Sequence, residues 1–254
     1  MGFKRVLKAV APVVALAIAG GLSGCENANI NVNGEDGKEL ADLDLSGEAP
    51  SEVSLLGPDT VDIRDGETLA IRVEGSDAAK ARMRFVLKDG SLGILRRKGT
   101  WSDDQVATVI VTMPAPAKLN LAGSGRMTAA SVSDRPEINV AGSGRLDLAS
   151  VSAAAMEVTI AGSGSLKAAG SADKLELNLL GSGSADLAAL KAGSAEVNIA
   201  GSGDATFASD GEVKANIMGS GDVTVKGRAR CKVHTVGSGS LVCEAGAEEA
   251  GKAA

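Results

Sequence analysis

One nine-residue pattern recurs seven times in this chain. It reads L-N-L-A-G-S-G-R-M from Leu119, I-N-V-A-G-S-G-R-L from Ile138, V-T-I-A-G-S-G-S-L from Val158 and L-N-L-L-G-S-G-S-A from Leu177, then returns from Val197, Ala215 and Val233. The Gly-Ser-Gly triplets begin at Gly123, Gly142, Gly162, Gly181, Gly201, Gly219 and Gly237, 18 to 20 residues apart. A fixed period of this length in a strand-like pattern predicts stacked coils that bury their apolar faces against one another.

The columns of the repeat show which way each position faces. Two and four residues before each triplet stand aliphatic pairs such as Leu119 and Leu121, Ile138 and Val140, or Val158 and Ile160. Strand side chains alternate, so both columns face inward. Between them runs Asn120, Asn139, Thr159, Asn178, Asn198, Asn216 and His234, facing outward. One step further out runs Lys118, Glu137, Glu157, Glu176, Glu196, Lys214 and Lys232. After the triplet, Met127, Leu146, Leu166, Ala185, Ala205, Val223 and Leu241 face inward again. Each repeat is therefore strand, glycine corner, strand and a looser return. The predicted fold is all-β: a parallel β-solenoid of 18–20 residues per coil, wound right-handed as parallel crossovers are. Seven coils at about 4.8 Å each stand roughly 33 Å tall.

Composition agrees with a narrow core. Aromatic residues are 2% of the 254 residues, with no Tyr, three Phe and one Trp, whereas Gly numbers 33. Small aliphatic side chains must fill an interior one side chain deep. Net charge is −6, with no strong basic patch overall, which argues against nucleic acid as a partner.

Residues 1–24 read as a signal peptide: Lys4, Arg5 and Lys8, then an apolar stretch over 9–21 too short to span a bilayer. It ends in Leu22-Ser23-Gly24-Cys25, which resembles the bacterial lipobox. That resemblance implies cleavage before Cys25, acylation of its thiol and amino group with palmitate-type chains, and a membrane held through the lipidated Cys25. Glu26 next to it implies the outer membrane under the enteric sorting rule. Residues 25–48 are acidic and turn-rich and read as a flexible tether, with weak alternation at 28–32 and 40–45. A solenoid domain is expected over 49–246, with regular coils from about 117, followed by a short tail at 247–254.

Before the repeats, less regular strands are expected at 53–56, 61–63, 68–73, 83–87, 92–95 and 106–113, with no helical period among them. Lys80, Arg82, Arg84, Lys88, Arg96, Arg97 and Lys98 form a basic run, read first as the solvated outer faces of a strand pair, with anionic headgroups or the acidic tether as the alternative partners. Trp101 reads as a local lid.

A secreted β-rich leader followed by repeated (I/L/V)-N-(I/L/V)-x-G-S-G-x-(L/V) resembles the "putative auto-transporter adhesin, head GIN domain" family, from about Val53 to Cys243. The resemblance implies a parallel β-helix on the bacterial cell envelope and carries no catalytic residues with it.

The candidate surfaces are the outer ladders. Asn120, Asn139, Asn178, Asn198 and Asn216 are expected to bond to each other along the stack. Glu137, Glu157, Glu176 and Glu196 place like charges on successive coils, a cost that asks for compensation from flanking lysines, a cation or a basic partner. Cys231 and Cys243 occupy inward positions of the last coil, where an oxidising compartment favours a disulfide over two buried free thiols. The lone His234 lacks a catalytic companion, and the repeated serine lacks both a base and the strand-turn-helix setting of a nucleophile elbow. No cofactor, metal site or catalytic set is expected. The reading is an envelope lipoprotein with an adhesin-like module that presents its outer β faces to a protein or glycan. The alternatives are a polysaccharide-acting enzyme on a β-helix, which lacks aromatic platforms here, and an envelope-stress or assembly factor.

Overall fold

The computed structural model describes residues 37–97 and 106–244. Cys25, Lys98, Trp101, the expected signal peptide and the 247–254 tail lie outside the described residues.

The repeats wind into a parallel β-solenoid. Its first face is a ladder of β1 (Glu52–Leu56), β7 (Lys118–Gly123), β9 (Glu137–Gly142), the carboxyl ends of β10 (Arg145–Gly162), β11 (Ser165–Gly181) and β12 (Ser184–Gly201), then β14 (Glu212–Gly219) and β16 (Arg230–Gly237). Register follows the repeat. Leu55, Leu121, Val140, Ile160, Leu179, Ile199, Ile217 and Thr235 pair in succession. The second face runs through β2 (Thr60–Asp65), β8 (Arg126–Ser131), the amino ends of β10 to β12, β13 (Asp204–Ser209), β15 (Asp222–Lys226) and β17 (Ser240–Glu244). The inward columns are sealed: Leu119, Ile138, Val158, Leu177 and Val197 have no exposed surface.

The two glycines of a triplet do different work. Gly142 has φ +107°, a left-handed conformation that L side chains avoid, and a Cβ there would sit 2.6 Å from the Gly123 carbonyl oxygen. At Gly144 the obstacle is the stack itself, since a Cβ would lie 2.8 Å from both the Gly125 oxygen and Leu121 Cδ2. Between them the Ser143 N–H donates to the Gly123 oxygen at 2.9 Å while its side chain points to solvent.

The irregular leader belongs to the same stack. Val53, Leu55, Gly57, Val61 and Ile63 hold the repeat's columns, with Pro58-Asp59 in place of Ser-Gly, and pair with Leu119, Leu121, Met127 and Ala129. β5 (Ser91–Arg96) and β6 (Thr108–Met113) form a further coil on the other side of β1 and β2. The chain thus lays down one coil, inserts another beneath it, and resumes above with β7. β3 (Ala70–Glu74) and β4 (Met83–Lys88) run antiparallel along β6 and β5 and close that end. A helical turn, α1 (Asp77–Lys80), joins them. Ser76 caps it by accepting from the Ala79 N–H, and four residues are too few to show a helical period in the sequence.

Two expectations change. Residues 37–48 are not a free tether: Lys38 exchanges backbone bonds with Phe85, a 3-10 turn spans Leu40–Asp42, and Leu40, Leu43, Leu45 and Ala49 lie against the core. Those leucines find apolar surface that an acidic composition conceals. The basic run is not uniformly solvated either, since Arg84 and Arg96 are buried. Arg96 reaches buried Asp59, and Arg84 reaches Glu39 at 3.0 Å, so each buried guanidinium has a carboxylate.

The two ends of the solenoid differ. Hairpin strands and residues 37–49 cover the first. At the other, no strand among the described residues lies over β16 and β17: the inward-column Val233 is 52% exposed, and the outward Val236 and Val242 are 60% and 49% exposed. Cys231 and Cys243 are joined by a disulfide across this last coil, with Cα atoms 6.7 Å apart.

Candidate binding face

Three outward columns cross the first face side by side. In the middle one, Asn139 Nδ2 donates to Asn120 Oδ1 at 2.9 Å, Asn198 to Asn178 at 3.0 Å and Asn216 to Asn198 at 2.9 Å. Asn120 in turn donates to Glu52 and Ser54 of β1. The ladder has one gap. Thr159 stands where an amide would, and the buried Nδ2 of Asn178 has no hydrogen-bond partner among the described residues. Stacking buries the middle of the column, so Asn139, Thr159 and Asn178 are shielded although they point outward.

The charged column is in register from Glu52 through Lys118, Glu137, Glu157, Glu176, Glu196, Lys214 and Lys232. Lys118 Nζ lies 3.0 Å from Glu137, and Lys174 Nζ lies 3.9 Å from Glu176. Among the described residues no cation lies within ion-pair distance of Glu157 at the centre, and Lys118 and Lys174 act on it only from further off. Burial, then the Glu176 and Glu137 charges, raise its pKa above the ordinary 4.5. Further along, Glu212 sits among Lys232 and Lys214, whose hydrogen bond and charge lower its pKa. The face is therefore acidic in its middle and basic toward the open end.

The third column was not singled out from the sequence. It is the residue just before each triplet: Ala122, Ala141, Ala161, Leu180, Ala200, Met218 and Val236. Met218 is 43% exposed, and Leu56 and Ala122 meet Val86 and Leu95 at its other end. Its signal was present as an apolar position on the polar face of the repeat.

A separate shallow groove of about 510 Å³ lies on the second face, floored by Ala130, Ala149 and Ala169 and edged by Asp62, Arg64, Asp147 and Lys167. Among the described residues no group of three His, Cys, Asp or Glu side chains is placed to hold a metal ion, and the ladder carboxylates come one to a coil. His234 is exposed at the open end, stacked on Asn216.

These features define a class, the β-solenoid with ladder-like outer faces. The sequence profile of the "putative auto-transporter adhesin, head GIN domain" family matches residues 49–229, and the chain belongs to that family. Solved structures share the fold. An adhesin-titled protein from Bacteroides fragilis superposes with a TM-score of 0.72 at 19% identity, covering 78% of this chain and 93% of its own. A protein from Parabacteroides distasonis titled "putative lipid binding protein" gives 0.60 at 21% identity, covering 78% and 93%. An adhesin-titled protein from Parabacteroides merdae gives 0.52 at 14%, covering 78% and 92%. No curated protein matches the chain significantly.

Proposed function

We propose that this protein is a non-catalytic, adhesin-like module of the bacterial envelope, anchored through a lipidated Cys25 in the outer membrane, and that it binds a glycan or protein along its first outer face. One observation carries the reading. Amide, carboxylate and apolar columns run in parallel at the interstrand spacing, with an under-compensated carboxylate, Glu157, in the middle. A repeating surface of that kind offers a repeating partner hydrogen bonds and apolar contact at every coil. Glu157 gains from any partner that donates a hydrogen bond or positive charge to it. Family membership supports an envelope or surface role. The Leu22-Ser23-Gly24-Cys25 sequence supports the anchor.

The binding reading is tested with the wild type and a Glu137→Gln, Glu157→Gln, Glu176→Gln, Glu196→Gln variant, on a glycan array and in pull-downs from detergent-solubilised envelope. Binding that the variant loses supports it. Cleavage of a bound glycan, or binding unchanged in the variant, overturns it. Anchoring is tested by fractionation and palmitate labelling of Cys25→Ala, which should be unlabelled and released from membranes.

A further inference from the structure

We propose that the open end of the solenoid receives residues 28–34 of a second copy of this chain as an added parallel strand on β16. Three observations meet here. First, β16 is an edge among the described residues: its inward-column residues Val233 and Thr235 have no described coil over them, as every earlier pair has, and Val233, Val236 and Val242 are the most exposed large hydrophobic residues described. An unpaired edge beside exposed aliphatics is a template for another strand.

Second, the sequence holds a further copy of the strand that fits. Ile30-Asn31-Val32-Asn33-Gly34 repeats the frame of Ile138-Asn139-Val140-Ala141-Gly142. In the register that every coil of the first face keeps, Ile30 falls on Val233, Asn31 on His234, Val32 on Thr235 and Gly34 on Gly237. Inward positions receive aliphatics, and the Asn ladder gains another amide. Charge agrees at the start of the strand, where Glu26 would fall on Ala229, between Arg228 and Arg230.

Third, geometry excludes the same chain as donor. Lys38 is fixed by its bridge to Phe85 of β4, at the closed end. From β5 to β16 the first face advances eight strand steps, about 38 Å. Gly34 and Lys38 are four positions apart in sequence, a reach of at most about 14 Å. In the register of the Lys38 bridge, β4 ends at Lys88, opposite position 35, so β4 offers residues 28–34 no partner in that register. A donor at one end and an acceptor at the other make a heterologous contact, which builds linear head-to-tail chains of modules. This inference does not depend on the binding reading above.

Analytical ultracentrifugation of the full chain in detergent tests it with two variants. Ile30→Asp, Val32→Asp removes the donor and keeps the acceptor. Val233→Lys, Thr235→Lys blocks the acceptor and keeps the donor. The wild type should form a concentration-dependent series of oligomers, each variant alone should sediment as a monomer, and their mixture should stop at one-to-one dimers. Circular dichroism establishes that each variant is folded. A synthetic peptide of residues 27–34 added to the wild type should dissolve the oligomers where a scrambled peptide does not, which holds even if an end-coil variant misfolds. A monomeric wild type, oligomers that survive Ile30→Asp, Val32→Asp, or an inert peptide would overturn the proposal.

Discussion

Arg96 and Asp59 form a buried bidentate pair, with the Arg96 Nε and Nη2 donating to the two carboxylate oxygens at 2.5 and 2.6 Å. Asp59 also accepts from the Ala107 N–H at 2.8 Å. It sits in the corner between β1 and β2, where later coils carry the third-position glycine, and it ties that corner to the end of β5 and the approach to β6. Removing one partner takes this ion pair from the other, whose charge stays buried. Asp59→Ala should lower unfolding free energy by about 3–5 kcal/mol, whereas an Asp59→Leu, Arg96→Met pair should cost less than either single change. Denaturant unfolding followed by circular dichroism measures both, and an additive double variant would contradict the coupling.

The corners allow a sharp contrast within one triplet. Gly142→Ala must hold a side chain at φ +107° against the Gly123 oxygen, a cost of about 2 kcal/mol or more. Ser143→Ala changes an exposed side chain whose N–H bond is retained, and should stay within about 0.5 kcal/mol of wild type. Equal effects at the two positions would mean that the backbone relaxes around the added Cβ.

Much of this was legible because a solenoid writes its structure as columns. The alternation of Leu119, Asn120 and Leu121 gives strand, facing and register together, since the next coil repeats it. The leader resisted for a definable reason. Gly57 marks a corner, but Pro58-Asp59 hides the triplet, and β5–β6 follow β1–β2 in sequence while lying beneath them in space. Contacts of that kind leave no local trace. Nor did the burial of Arg84 and Arg96, because a guanidinium looks solvated until the distant Glu39 and Asp59 are brought to it. The apolar column ending in Met218 and Val236 was visible as a position in the repeat, yet its meaning depends on knowing that the face beside it is polar.

The Cys231–Cys243 disulfide bridges a separation of 12 residues in the coil with the least cover. The loop-entropy estimate for such a closure is about 3 kcal/mol. Cys231→Ser, Cys243→Ser should lower stability by up to that amount, and the loss should be local. Hydrogen exchange should quicken in β16 and β17 while β7 and β9 keep their protection. Uniform acceleration along the stack would show that the last coil governs the whole.

Glu157 makes stability depend on pH in a stated direction. Its folded pKa is raised above 4.5, chiefly by burial and then by Glu176 and Glu137, so the folded state holds its proton more tightly than the unfolded chain. The resulting penalty is absent below the unfolded value and develops as pH climbs through the folded one. Glu157→Gln should therefore melt higher than wild type at pH 7, and the difference should shrink as pH falls toward 4. A gain that persists unchanged at pH 4 would assign the effect to packing instead of charge.

The gap in the Asn ladder gives the most economical stabilising change. Thr159 lies between Asn139 and Asn178 on the same column, and its short side chain leaves the buried Asn178 Nδ2 without an acceptor. In adjacent coils an Asn presents its Oδ1 to the Nδ2 of the next, at 2.9–3.0 Å. Thr159→Asn should place an oxygen where Asn178 donates, and a nitrogen toward Asn139, joining two ladder segments into one. A satisfied buried hydrogen bond is worth about 1 kcal/mol. The added volume is tolerated at Asn139 and Asn178, which share the backbone register of Thr159. Thermal melts should rise for Thr159→Asn and fall or stay level for Thr159→Val, which fills the space without an acceptor. If the valine variant stabilises as much as the asparagine one, the missing bond is not what limits this coil.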